Sequence, residues 1–205
     1  MPKPHTTTLT LLAATMLIAG CSGQPDTAAP ASPPAPSSTG LRFGAPPVPA
    51  PLNPAPLEKT PCAAMTPAQV GSLGAPLKNT NPEPDDPTGP SCGWVFDTAD
   101  HTSVVSAGVF TGDPSHGGIS GVYGKQQTGG LTKFQPFTVM GYPGAIYDAA
   151  SNSLPGSCGL AVGLRDDLSY TITVGLDNSH PFTDACELGK KVAGFVVQYL
   201  QQGGH

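Results

Sequence analysis

Cysteine is the residue type best placed to do chemistry in this 205-residue chain, and its five copies are Cys21, Cys62, Cys92, Cys158 and Cys186. No two form a Cys-x-x-Cys pair, so a structural zinc site is not expected. The other familiar reactive patterns are also missing. Gly118-Ile119-Ser120-Gly121 breaks the Gly-x-Ser-x-Gly spacing of a nucleophile elbow. Neither His-Glu-x-x-His nor a Gly-rich phosphate loop occurs. His101, His116 and His180 fall in expected loops and His205 is terminal. A metal at His116 or His180 with Asp113 or Asp177 is conceivable, but solvated loop side chains are the expectation. Asp85-Asp86 and Asp166-Asp167 read as turn residues, since adjacent carboxylates on a strand point apart. Two aromatics are candidate contacts for a ligand or partner. Trp94 lies two residues from Cys92, where stacking on a ligand competes with packing on a disulfide. Tyr142 sits in Gly141-Tyr142-Pro143-Gly144, an expected turn, where an exposed ring suits a contact surface. No catalytic residue, metal or cofactor is expected.

Cys21 has a different setting from the other four cysteines. Lys3 precedes an uncharged run from Thr6 to Gly20, which includes Leu9, Leu11, Leu12, Leu17 and Ile18. That run is shorter than the roughly 20 residues needed to span a bilayer. It has the order of a secretory signal: charge, apolar run, small residues. Ile18-Ala19-Gly20-Cys21 resembles the bacterial lipobox, in which the cysteine is diacylglyceryl-modified and becomes the mature N-terminus. Residues 1–20 are therefore expected to be a lipoprotein signal peptide. Cys21 is expected to carry the fatty acyl (palmitate-type) anchor at the extracytoplasmic face of the membrane. Two acyl chains give stable attachment where one would be marginal.

Residues 21–61 are expected to form a disordered Pro/Ala-rich tether behind that cysteine. Ser22 to Pro61 holds twelve prolines and four charged residues. Proline removes backbone donors and fixes φ, which suits an extended spacer with a reach on the order of 100 Å. Leu41-Arg42-Phe43 is the one stretch that could dock on the domain.

Residues 62–205 are expected to be a single disulfide-stapled α+β domain. Thr66-Pro67-Ala68-Gln69 is a capping box with proline at the first helical position, and Gly74 is the stop. Asn79 to Ser91 reads as a polar loop. Cys92–Phe96 and Thr102–Phe110 read as strands. Val105, Ala107 and Val109 share one face of the second, opposite Val104, Ser106, Gly108 and Phe110. Ile119, Val122 and Tyr123 fit a helical turn within a Gly-rich stretch. Thr138–Asp148 reads as strand, turn, strand. Cys158–Leu164 and Ser169–Leu176 form a hairpin in which Tyr170, Ile172 and Val174 alternate with Thr171 and Thr173. A long C-terminal helix starts near Asp184, with Leu188, Val192, Phe195, Val196 and Tyr199 on its apolar side. The expected fold is an antiparallel sheet of about five strands. A short N-terminal helix and the long C-terminal helix pack mainly on one face.

Four cysteines allow three pairings. Cys62–Cys92 and Cys158–Cys186 are preferred, because they tie the first helix to the first strand and the hairpin to the last helix. Each closes a loop of about 30 residues, worth a few kcal/mol. A net charge of −5 with no basic run argues against nucleic acid as a partner.

Pro61-Cys62-Ala63-Ala64-Met65-Thr66-Pro67-Ala68-Gln69-Val70, Cys92-Gly93-Trp94, Val139-Met140-Gly141-Tyr142-Pro143 and Cys158 with its strand together resemble the domain-of-unknown-function 3558 family of actinobacterial lipoproteins. The resemblance covers about residues 60–200. It implies envelope location and paired cysteines, and it carries over no activity. The expected function is a membrane-anchored, non-enzymatic envelope lipoprotein binding an envelope protein or small ligand. The alternatives are a cell-envelope hydrolase with an unrecognised site and a structural or stress-protective envelope protein.

Overall fold

The computed structural model describes residues 41–97, 102–111, 117–149, 156–176 and 182–205. Seven strands form one sheet: β1 Leu77–Glu83, β2 Ser91–Asp97, β3 Thr102–Phe110, β4 Leu131–Val139, β5 Tyr142–Ala149, β6 Ser157–Arg165 and β7 Leu168–Gly175. Their order across the sheet is β1-β2-β3-β7-β6-β5-β4. Every neighbouring pair is antiparallel. Two meanders meet at the centre. The first runs inward from one edge and stops at β3. Helix α3 (Ile119–Gln127) then leads to the far edge, and the second meander returns inward until β7 pairs with β3.

Strand alternation divides the apolar residues between the two faces. Leu160 and Val162 of β6, Tyr170, Ile172 and Val174 of β7, and Val105 and Val109 of β3 belong to the main core. Helix α4 (Phe182–Gln201) covers it with Val192, Ala193, Val196, Val197 and Leu200, all buried. Gly189 lets α4 approach closely, since a Cβ there would run into the Leu160 side chain. Ala161 and Ala145 point the other way, into a smaller cluster with Ile119 of α3.

The expected class holds, but the sheet is larger than expected. The sheet has seven strands rather than about five. One unforeseen strand is β1, where a polar loop was expected. It is an edge strand with all seven residues exposed, so no apolar alternation marks it, and an edge also tolerates Pro82. The strand, turn, strand expected over Thr138–Asp148 is present as β4 and β5, but β4 begins at Leu131 and the turn is the two residues Met140 and Gly141. The short helix α2 (Pro67–Gly71) and the long helix α4 both enter the main core, through Val70 and through Val192 and Val196, while the additional helix α3 lies on the opposite face with Ile119.

The boundary at residue 62 also moves. Residues 41–61 are part of the domain. Leu57, on a short helix α1 (Ala55–Lys59), is completely buried, and Val48 and Leu52 join the same core. Proline permits this because the segment needs few backbone donors. Leu52 N–H donates to the Leu164 carbonyl at 2.8 Å, and Val48 N–H donates to Asp166 Oδ1 at 2.8 Å. Pro54 and Pro56 open α1, where their missing donors would be orphans anyway.

The local expectations survive well. Helix α2 (Pro67–Gly71) carries the reciprocal capping box: Gln69 N–H donates to Thr66 Oγ1 at 3.2 Å, and Thr66 N–H donates to Gln69 Oε1 at 2.8 Å. Met65 and Val70 on either side are buried. Both preferred disulfides are formed, Cys62–Cys92 with Cα atoms 5.1 Å apart and Cys158–Cys186 with 5.2 Å. The first ties the turn before α2 to β2, and the second ties β6 to α4.

Candidate functional site

Neither aromatic candidate reaches a surface. Trp94 is 1% exposed, on the main-core face of β2. Tyr142 is 4% exposed. The turn occupies Met140 and Gly141, both with positive φ, rather than residues 141–144. Tyr142 is therefore the first residue of β5, and the two-residue period places it with Ile146 in the core. The exposed side chain at this tip is Met140.

The acidic pairs are turn devices. Asp86 Oδ1 accepts from both Thr88 N–H and Thr88 Oγ1 at 2.7 Å, which holds its carboxyl below the usual carboxylate range. Asp166 receives the Val48 N–H, while Asp167 pairs with Arg165 at 3.0 Å on the surface. Ser120 is buried in the first turn of α3. His101, His116, His180, Asp113, Asp177 and Cys21 lie outside the described residues. Among the described residues, no three His, Cys, Asp or Glu side chains gather to hold a metal.

A cleft does exist on the α3 face of the sheet, and its origin is in the chain's small residues. The small side chains of Ala161 on β6 and Ala145 on β5 meet Ile119 of α3, and α3 settles over β4, β5 and β6. With nine residues, α3 is too short to cover β7 and β3 as well. The uncovered space is a cavity of about 500 Å³. Its floor is Ser169, Thr171 and Thr173, the outward set of β7. Phe110 of β3 and Tyr147 of β5 flank that floor. Helix α3 supplies Gly121, Val122, Gly124 and Lys125 as the wall. A shallower depression of about 110 Å³ continues along the sheet past Ser106, Ser91 and Asp86, sharing Thr171 and Thr173.

Thr88, Gly118 and Thr128 complete the rim, and a further wall residue is Phe43, from the segment expected to be a tether. Its ring lies on Gly124, where an added Cβ would come within 2.9 Å of it. Gln127 Nε2 donates to the Phe43 carbonyl at 2.9 Å. Phe43 adopts φ 62°, ψ 21°, a left-handed conformation that costs a bulky side chain energy. The docking on α3 supports that conformation and leaves the ring partly exposed in the cleft. Nearby, Tyr123 and Phe134 meet edge to face at 5.0 Å, and burial raises the Tyr123 and Tyr147 hydroxyl pKa values.

Sequence reasoning missed this site for a definite reason. The alternation of Thr171 and Thr173 with apolar residues was visible, but it reads equally as a solvated outer face. Only the crossover of α3 turns part of that face into a cleft.

The family model described as "Protein of unknown function (DUF3558)" matches residues 16–199, a span that includes Cys21, the proline-rich segment, all seven strands and most of α4. No curated protein matches the chain.

Proposed function

The chain belongs to the DUF3558 family, and from that premise we propose that it is a lipid-anchored envelope lipoprotein whose domain is a non-enzymatic binding module. Cys21 holds it at the extracytoplasmic face through its diacylglyceryl group, and residues 22–40 link anchor to domain. Ile18-Ala19-Gly20-Cys21 after an apolar run supports the anchor. No helix among the described residues is long and apolar enough to cross a membrane.

The single observation that carries the binding reading is the α3 cleft. Its volume of about 500 Å³ lies within the usual range for small-ligand sites, roughly 300–1,000 Å³. It combines apolar walls with a few convergent hydroxyls, the make-up of a site that holds and orients a ligand. A small ligand is therefore favoured over a protein partner.

Thr171→Phe tests the reading. The ring would fill the cleft from the floor without altering the main-core face of β7, and phenylalanine suits a strand. Native mass spectrometry of protein isolated from its own envelope should show a bound small molecule on the wild type and none on Thr171→Phe. A ligand retained by the variant would place binding elsewhere.

A further inference from the structure

The lining of the α3 cleft goes further than its volume and narrows the ligand class. Resting on the reading of that cleft as a ligand site, we propose that it takes a single-chain amphiphile with an anionic head group, a carboxylate or a phosphate. Three observations carry this.

The cleft is two-sided. Phe43, Val122, Phe110 and Tyr147 present apolar surface, while Ser169, Thr171 and Thr173 present a row of hydroxyls along β7. A ligand apolar along one edge and polar along the other satisfies both. Among the described residues, the lining contains no Asn, Gln, Asp, Glu, Arg, His or Trp. A saccharide would therefore find none of the planar, forked hydrogen-bonding groups that read its hydroxyl pairs.

The charge is also one-signed. Lys125 is the only charged side chain among the described residues that line the cleft, in a chain whose net charge is −5. No described carboxylate pairs with it, whereas Lys78, Lys133 and Lys190 each have an acidic partner. One ammonium beside several hydroxyls suits one anionic group. A nucleotide's phosphates would call for several cations.

The third observation is position. Phe43, a wall of the cleft, lies 22 residues after Cys21 in the sequence. At about 3.1 Å per extended residue, that length keeps the cleft within on the order of 70 Å of the bilayer. The occupant is accordingly a molecule of the membrane. A volume in the lower half of the usual range favours one alkyl chain over two.

The test is calorimetric titration of the full chain carrying Cys21→Ala, so that no covalent acyl group competes. The probes are dodecanoate, dodecyl phosphate and dodecanol, each below its micelle concentration. Dodecanoate or dodecyl phosphate, or both, should bind about tenfold or more tighter than dodecanol, the scale of one charge-assisted hydrogen bond. Lys125→Gln should erase that difference, and Thr171→Phe should abolish binding of all three. Thr173→Phe, at a more exposed floor position, replaces Thr171→Phe if the latter fails to fold. Equal affinity for dodecanol, or a preference that survives Lys125→Gln, would overturn the head-group assignment. If no alkyl probe binds while an envelope molecule still binds in a manner blocked by Thr171→Phe, the amphiphile class is wrong and the cleft reading stands. Alkyl binding indifferent to both floor substitutions would overturn the site itself.

Discussion

Tyr170 shows how one atom can work against the fold that surrounds it. The residue is 1% exposed, and its hydroxyl has no hydrogen-bond partner among the described residues. Its cross-strand neighbours are Val109 and Val162, which offer no side-chain acceptor. Leaving a buried hydroxyl unpaired costs about 1–3 kcal/mol. Tyr170→Phe keeps the ring and removes the orphan, so it should raise stability at neutral pH by about 1 kcal/mol. Burial also pushes the Tyr170 pKa well above its ordinary value. The sign follows directly. The unfolded tyrosine ionises near pH 10 while the buried one keeps its proton, so the unfolded state binds fewer protons above that pH. Stability should fall as pH rises past about 10, by up to about 1.4 kcal/mol per unit for this group, until the folded pKa is reached. Urea denaturation of both proteins at neutral and alkaline pH checks the two effects together. Tyr170→Phe should flatten the alkaline slope, with Tyr147 sustaining part of what is left. A variant less stable at neutral pH would mean that the hydroxyl does have a partner.

At the scale of elements, the proline-rich segment is the main surprise. Val48, Leu52 and Leu57 are its only large aliphatic side chains after Leu41, and all three are buried. Composition could not reveal this, because twelve prolines look alike whether a segment floats or straps a core. The deciding contacts, Val48 to Asp166 and Leu52 to Leu164, span more than a hundred residues. Elements defined by neighbours in sequence were legible: the α2 capping box, the β6–β7 hairpin and the apolar side of α4. Strand β1 was not, because an exposed edge strand has no buried face to impose a period. Leu57→Ala separates strap from tether. If the segment were only a tether, the change would be neutral. As part of the core, with Leu57 completely buried, it should cost about 2–5 kcal/mol. Thermal or chemical denaturation measures that loss, and a change within about 0.5 kcal/mol would detach the segment from the domain.

For the molecule as a whole, the cysteine arithmetic links fold to attachment. Four of the five cysteines are used in two disulfides, one in each half of the sheet, which leaves Cys21 over. The pairing was legible because each bond joins elements that the local patterns had already placed. The cleft was not, because it depends on which strands α3 leaves uncovered, and that follows from the order β3-β7-β6 across the sheet. Separating the two kinds of cysteine gives a clean test of the anchor. With Cys21→Ala, metabolic labelling by a fatty acid should disappear, and the protein should leave the membrane fraction. The fold should not notice: the intact mass should still rise by four hydrogens on reduction, two per disulfide. Cys158→Ala with Cys186→Ala should do the reverse, keeping the label while lowering stability by about 2–4 kcal/mol. Labelling that survives Cys21→Ala would refute the lipobox reading. It would also remove the positional argument for a membrane ligand, because that argument rests on the proposed anchor at Cys21 alone.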